Sequence, residues 1–204
     1  GCGGKCAHWV WASRLAAYGG SYLDENNHPN FNNDAGKKAM DVAVDLLQYS
    51  PPDVGSYNWV ETNTEFVLGK AAMMEMWPSS LEISQQEESF LGRSEVVGKV
   101  GNAVLPGVIV DGELKQVSVL GGWTAVVSGA SDDKELAYEF IKFATSKEGE
   151  ILKTPLMTPT RQSVYEDEAV LASLPAHLPT FFPVLNDSLK VAGVFAQVSR
   201  PPVG

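Results

Sequence analysis

Between Asp34 and Tyr49 the apolar residues Ala35, Ala39, Met40, Ala43, Leu46 and Leu47 recur at three-and-four spacing, while Lys37, Lys38, Asp41, Asp45 and Gln48 fill the opposite face. That period predicts an amphipathic helix, with Asn33 as N-cap and Pro51-Pro52 as its stop. The same spacing places Leu136, Ala137, Phe140, Ile141 and Ala144 on the buried face of a helix over Asp132 to Thr145, opposite Asp133, Lys134, Glu139 and Lys142 and capped by Ser131. A helix over Trp9 to Tyr18 is ended by Gly19-Gly20, because glycine accepts the left-handed cap conformation.

Shorter patterns fill the rest of the chain. Asp24 to Asn30 reads as a turn between two short strands, and Glu61 to Leu68 as a short helix capped by Gly69. Ala71 to Met76 reads as a buried strand, followed by a helix capped by Ser79 or Ser80 and reaching Gln86. Gly98 to Leu105 is extended and leads through Pro106-Gly107 into a hairpin, whose Asp111-Gly112 turn joins Val108-Val110 to Lys115-Val119. Val119 to Ser128 is expected to form a strand carrying Gly121-Gly122-Trp123, and Ser146 to open a short helix. Pro155, Pro159 and Thr160-Arg161 form an irregular loop, followed by helices near Ser163 to Leu174 and Thr180 to Val191. Helices alternating with strands predict an α/β fold. The proline-rich end, Ser199 to Gly204, has no closing helix, so the chain reads as truncated.

Composition narrows the functions available. The 204 residues carry 25 acidic and 15 basic side chains for a net charge of −10, and the basic ones are dispersed, so no phosphate-tracking surface forms and nucleic acid is excluded as a partner. A chain of this size buries roughly 70% of its extended surface, enough for one core or two modest lobes. Cys2 and Cys6 are the only cysteines, close enough in a glycine-rich stretch for a disulfide and equally compatible with two free thiols. A zinc site on Cys2, Cys6 and His8 lacks a second ligand pair, and neither metal nor cofactor is expected.

Catalytic motifs are missing: there is no G-x-S-x-G elbow, Walker A loop or H-E-x-x-H helix, and His8, His28 and His177 are far apart in sequence. Glu75 beside Trp77 has no partner carboxylate by spacing, so a binding role is favoured over a glycan-active enzyme or a carbohydrate-binding or chemoreceptor-associated module. The remaining chemistry is aromatic. Sugar and polyol C–H faces pack on indoles while their hydroxyls need polar partners. Trp77 and Trp123, each set in or next to a turn, are candidate ligand contacts, with Trp9 balanced between ligand and core. Trp11 and Trp59 lie in apolar periodic stretches and are assigned to packing, and Glu75 and Asn63 to solvated or capping positions. Arg161 has the fork to hold vicinal hydroxyls, set against a loop-fixing ion pair.

Four stretches in order then resemble one family. They are Trp9 to Gly20 with Asn30-Phe31-Asn32-Asn33; Phe66-x-x-Gly69-Lys70-Ala71-Ala72-Met73 with Trp77; Gly121-Gly122-Trp123 ahead of Ala137-x-x-Phe140-Ile141-Lys142-Phe143; and Pro159-Thr160-Arg161-Gln162-Ser163-Val164-Tyr165. Together they resemble the extracellular solute-binding proteins of ABC transporters, in the class that includes maltose-, trehalose- and polyol-binding proteins. The resemblance implies a periplasmic-binding-protein-like α/β fold with one near-complete lobe plus part of the second. Residues 1–102 and 148–185 would form the carboxy-terminal lobe, and 103–147 and 186–204 a remnant of the amino-terminal lobe. It further implies capture of a sugar or polyol between the lobes, delivery to membrane permease subunits, no catalysis and a monomer. Its location would be periplasmic or extracellular, with a lipid anchor as one option for the full-length protein. Trp9, Trp77, Trp123 and Arg161 would line the cleft. The chain would cover about the middle and later half of the family's usual length.

Overall fold

The computed structural model describes residues 3–154, 157–173, 175 and 177–193. Helix α1 (Gly3–Ala17) starts earlier than the pattern predicts and ends at Gly19, whose φ of 80° is the left-handed cap expected there. The following tract reduces to a single antiparallel bridge, Leu23 with Pro29, around Asn27 at positive φ, in place of two strands. Helix α2 (Asp34–Asp45) is capped by Asn33, whose side chain accepts from the Gly36 N–H, and its last turn tightens to a 3-10 helix over Leu46–Tyr49. α1 and α2 pack together, with Ala12, Leu15 and Ala39 fully buried.

Helix α3 (Trp59–Val67) is opened by a capping box in which Asn58 and Glu61 exchange hydrogen bonds, and it is closed by Gly69 at φ 71°. Ala71 to Met76 is not the buried strand expected: among the described residues it has no ladder partner, and Met73 is exposed. An apolar run is only compatible with a strand; it becomes one when a neighbouring chain supplies the hydrogen bonds. Helix α4 (Ser79–Ser84) begins after Pro78, so neither Ser79 nor Ser80 is its cap. A short hairpin, β1 (Glu88–Ser89) with β2 (Gly92–Arg93), follows.

The hairpin β3 (Val108–Val110) and β4 (Glu113–Lys115) turns through Asp111 and Gly112, both at positive φ, as the two-residue turn signal requires. Gly107 has no room for a side chain, since a Cβ would stand 2.5 Å from the Lys115 carbonyl oxygen. β5 (Ser118–Val119) ends where a strand to Ser128 was expected, so Gly121 to Trp123 lies on irregular chain. Helix α5 (Lys134–Ala144) is capped by Asp133 in place of Ser131. Its apolar stripe is not buried: Leu136 and Phe140 are about two-thirds exposed (67% and 68%). Helices α6 (Lys147–Lys153), α7 (Gln162–Tyr165), α8 (Glu168–Ser173) and α9 (His177–Lys190) follow, the α7–α8 pair replacing a single predicted helix. β6 (Ala192–Gly193) pairs in parallel with β5, Ser118 opposite Ala192 and Val119 opposite Gly193.

An apolar cluster joins Leu81 of α4, Tyr165 of α7 and Phe181, Phe182 and Leu185 of α9, with Val100 and Leu171 against it. Cys2, part of the Pro155 loop and Ser199 to Gly204 lie outside the described residues.

Candidate functional site

Trp9 projects from α1 and meets Trp77 edge-on, with ring centroids 6.0 Å apart and planes at 73°. Both indoles are half-buried. The backbone of Gly121 also comes so close to Trp77 that a Cβ there would stand 3.7 Å from Cη2. Two residues further on, the Trp123 side chain is fully exposed at 103%. Three of the four candidate positions thus converge on one region: two indoles in mutual contact and a third carried by the loop that touches them. Indole rings of this kind offer apolar faces suited to a ligand's C–H surface.

Arg161 stands apart from this pair. Its Nε donates to the Thr145 carbonyl at 2.5 Å, joining the loop before α7 to the end of α5. That is the loop-fixing role weighed for it, made to a backbone oxygen instead of a carboxylate. The loop is held at two further points: Thr158 donates its hydroxyl to Glu82 at 2.7 Å, and Glu150 accepts from the Thr160 N–H at 2.7 Å. Both carboxylates are buried. Desolvation pushes Glu82 above the ordinary carboxylate range, with the Thr158 hydrogen bond opposing it. Burial also pushes Glu150 upward, but Lys153 and the Thr160 N–H outweigh it and leave the carboxyl below its usual value.

Trp11 and Trp59 are in packing roles. Trp11 donates to the Gly36 carbonyl at 3.3 Å and stands edge-on to Phe31, and Trp59 stacks on Phe90 with planes at 14°. Asn63 is neither solvated nor a cap. It is fully buried, its amide donating to the Trp59 carbonyl at 2.7 Å. Glu75 is not a solvated side chain either, because it forms an ion pair with the buried Arg14. Sequence reasoning passed over Arg14, although an arginine within Ala12-Ser13-Arg14-Leu15-Ala16-Ala17 is a charge in an apolar helix and calls for a partner. Arg14 and Glu75 line an open groove of about 360 Å³ with Tyr18, Val42, Leu46 and the chain from Pro106 to Ile109. Among the described residues no cluster of His, Cys, Asp and Glu is able to hold a metal ion.

The family described as bacterial extracellular solute-binding protein matches residues 6–151, and the chain belongs to it. Among curated relatives, a Sinorhizobium fredii protein described as a probable amino-acid ABC transporter periplasmic-binding protein, y4oP, is 29% identical over 138 residues, 67% of this chain and 29% of its own length. Among solved structures, maltose-bound MalE3 of T. maritima superposes with a TM-score of 0.75 at 27% identity over 96% of this chain and 47% of that one. An Agrobacterium radiobacter ABC transporter solute-binding protein in complex with ribitol gives a TM-score of 0.70 at 26% identity, over 92% and 45%. A Thermotoga lettingae solute-binding protein bound with α-D-tagatose gives 0.70 at 22% identity, over 91% and 45%, a likeness of fold alone. The fold is that of the periplasmic binding proteins, and these homologues are solute-binding proteins. The chain spans 29% of the curated relative and just under half of the solved structures. No helix among the described residues is long and apolar enough to cross a membrane.

Proposed function

We propose that this chain forms part of the substrate-binding component of an ABC importer, one that captures a sugar or polyol between two lobes and delivers it to the permease. The observation that carries the reading is the Trp9–Trp77 pair with the Gly121 backbone against it and Trp123 free beside it. Such an arrangement suits the C–H faces of a polyhydroxylated ligand, and two similar solved structures hold maltose and ribitol. Arg161, whose Nε is engaged by Thr145, would join the site only through its remaining guanidinium N–H groups, as donors to ligand hydroxyls. The component acts as a binding protein rather than a catalyst, as a monomer, and in the periplasm or outside the cell.

Packing supports the two-lobe division. The apolar cluster draws on 1–102 and 148–185, through Leu81 and Val100 on one side and Tyr165, Phe181, Phe182 and Leu185 on the other. The parallel β5–β6 pair joins 103–147 to 186–204. α5, in the second group, leaves its apolar stripe exposed within the described residues. The Trp77–Gly121 contact then falls where the two groups meet, which is where a ligand held between lobes would sit.

The test is a thermal-shift and calorimetric screen of the intact protein against maltose, ribitol, tagatose and a panel of amino acids. Binding to the folded state alone raises stability by about 2.7 kcal/mol at a ligand concentration 100 times Kd. A shift with a sugar or polyol supports the reading. A shift confined to amino acids would replace the ligand class, as the name of the Sinorhizobium relative would then favour. Release of reducing ends from an oligosaccharide would replace the binding role with catalysis.

A further inference from the structure

We infer that Arg14 and Glu75 are a positioning pair that sets Trp77 against Trp9, a role that deepens the proposed function and rests on it for its consequence in ligand binding. Among the described residues no backbone–backbone hydrogen bond holds Ala71 to Met76, so side-chain contacts determine where this segment lies. From Met73 to Trp77 it runs without turn or bend, with the Glu75 carboxylate on Arg14 and the Trp77 ring on Trp9. Glu75 and Trp77 therefore address α1 together.

The order of the contacts fixes a direction. Arg14 follows Trp9 along α1, whereas its partner Glu75 precedes Trp77 along the segment. The segment thus runs antiparallel to α1 and is pinned at two points, carboxylate on guanidinium and indole on indole. A shift of the segment along the helix would break both contacts at once.

Arg14 is itself fixed. It is 6% exposed, and its second nitrogen donates to Ser13 Oγ at 2.9 Å and to the Val10 carbonyl at 3.3 Å. The guanidinium is a rigid anchor on the helix, while the carboxylate rides on a segment with no ladder of its own. A fork held on three oxygens fixes direction as well as distance. Gly121 also packs against the six-membered ring of Trp77.

The experiment reads the indole pair directly. Two edge-on indoles 6.0 Å apart couple their transitions and give an exciton couplet in far-ultraviolet circular dichroism. Its assignment is made by Trp9→Phe and Trp77→Phe, each of which removes it. Glu75→Ala is the first variant. The Arg14→Met/Glu75→Leu double variant removes both charges, leaves no orphan in the interior, and so protects the test against simple misfolding. The expected result is loss of the couplet in both, with helical signal and cooperative melting retained. A folded variant that keeps the couplet overturns the inference. Failure of both variants to fold also overturns it, because the pair would then serve global stability. A protein that binds no sugar yet loses its couplet on breaking the pair removes only the function proposed above. Sugar binding with a couplet insensitive to the pair removes only this inference.

Discussion

The six-membered ring of Trp77 lies where a Cβ on Gly121 would stand 3.7 and 3.8 Å from Cη2 and Cζ3. That is ordinary contact distance, and Gly121 is not among the glycines at positive φ. Gly121→Ala is therefore expected to fold with stability unchanged or raised by about 0.4–1 kcal/mol, since alanine reduces the freedom of the unfolded chain. Gly121→Leu sends further carbons into the ring and should disturb the Trp9–Trp77 pair. Urea denaturation together with the couplet checks both, and a destabilised alanine variant would show that the backbone is closer to Trp77 than described.

Trp123 and Trp77 should separate affinity from stability. Trp123 is fully exposed, so Trp123→Ala is expected to leave stability within about 0.5 kcal/mol. In the intact protein it should weaken sugar binding by more than about 1 kcal/mol, roughly five-fold in Kd. Trp77→Ala removes a half-buried ring in contact with Trp9 and Gly121, so it should lower both affinity and stability, the latter by about 1–2 kcal/mol. Unchanged calorimetric affinity for Trp123→Ala would take that residue out of the site.

Where local signals decide local structure, the chain was legible. Asn33, the Gly69 cap and the Asp111-Gly112 turn each act within a few residues, and each does what its chemistry implies; the α2 period gives a helix too, but Met40, Leu46 and Leu47 of its stripe are exposed among the described residues. Two of the strands expected failed for a common reason. Ala71 to Met76 and Val119 to Ser128 are apolar enough for a sheet, but a strand exists only when a second chain segment pairs with it, and nothing local encodes that partner. The α5 stripe was read correctly as apolar, and only the assumption that it is covered did not hold among the described residues. At the site, Trp9 and Trp77 could be nominated as amphipathic rings near turns. The Arg14–Glu75 pair spans 61 residues of sequence and had only the buried-charge clue from Arg14 itself.

Gly36 opposes two effects of known size. Alanine within a helix is favoured over glycine by about 1 kcal/mol. A Cβ at Gly36, however, would stand 1.8 Å from the Phe31 carbonyl oxygen, and backbone cannot step aside as a long side chain can. The same residue's carbonyl accepts from Trp11 Nε1, so displacement also loosens the α1–α2 contact. Overpacking of this kind costs about 1–3 kcal/mol, and Gly36→Ala should be net destabilising. Gly55 has nothing within 4 Å of its Cβ position, so Gly55→Ala serves as the matched control and should be neutral. Equal midpoints for the two variants in urea would contradict the packing of Phe31 on α2.

The two buried carboxylates that hold the 158–160 loop should tilt stability in opposite directions with pH. Desolvation raises the folded-state value of Glu82 above its unfolded one. Folding then takes up a proton, so the contribution of Glu82 is full below the unfolded value, about 4.3, and is lost as pH rises through the folded value. For Glu150 burial acts in the same sense, but Lys153 and the Thr160 N–H prevail and lower the folded value. Its contribution is present above the unfolded value and lost as pH falls through the folded one. Groups common to parent and variant cancel in the difference between their curves, so each residue can be read alone. Glu82→Gln is expected to gain on the parent between weakly acidic and neutral pH, because the glutamine keeps an acceptor for Thr158 and never ionises. Glu150→Gln is expected to lose most relative to the parent at neutral pH, with the gap closing on acidification. Urea midpoints of the three proteins at a series of pH values make the measurement. Parallel curves for Glu82→Gln and parent would mean that this carboxylate reaches solvent in the folded protein and does not anchor Thr158 from the interior.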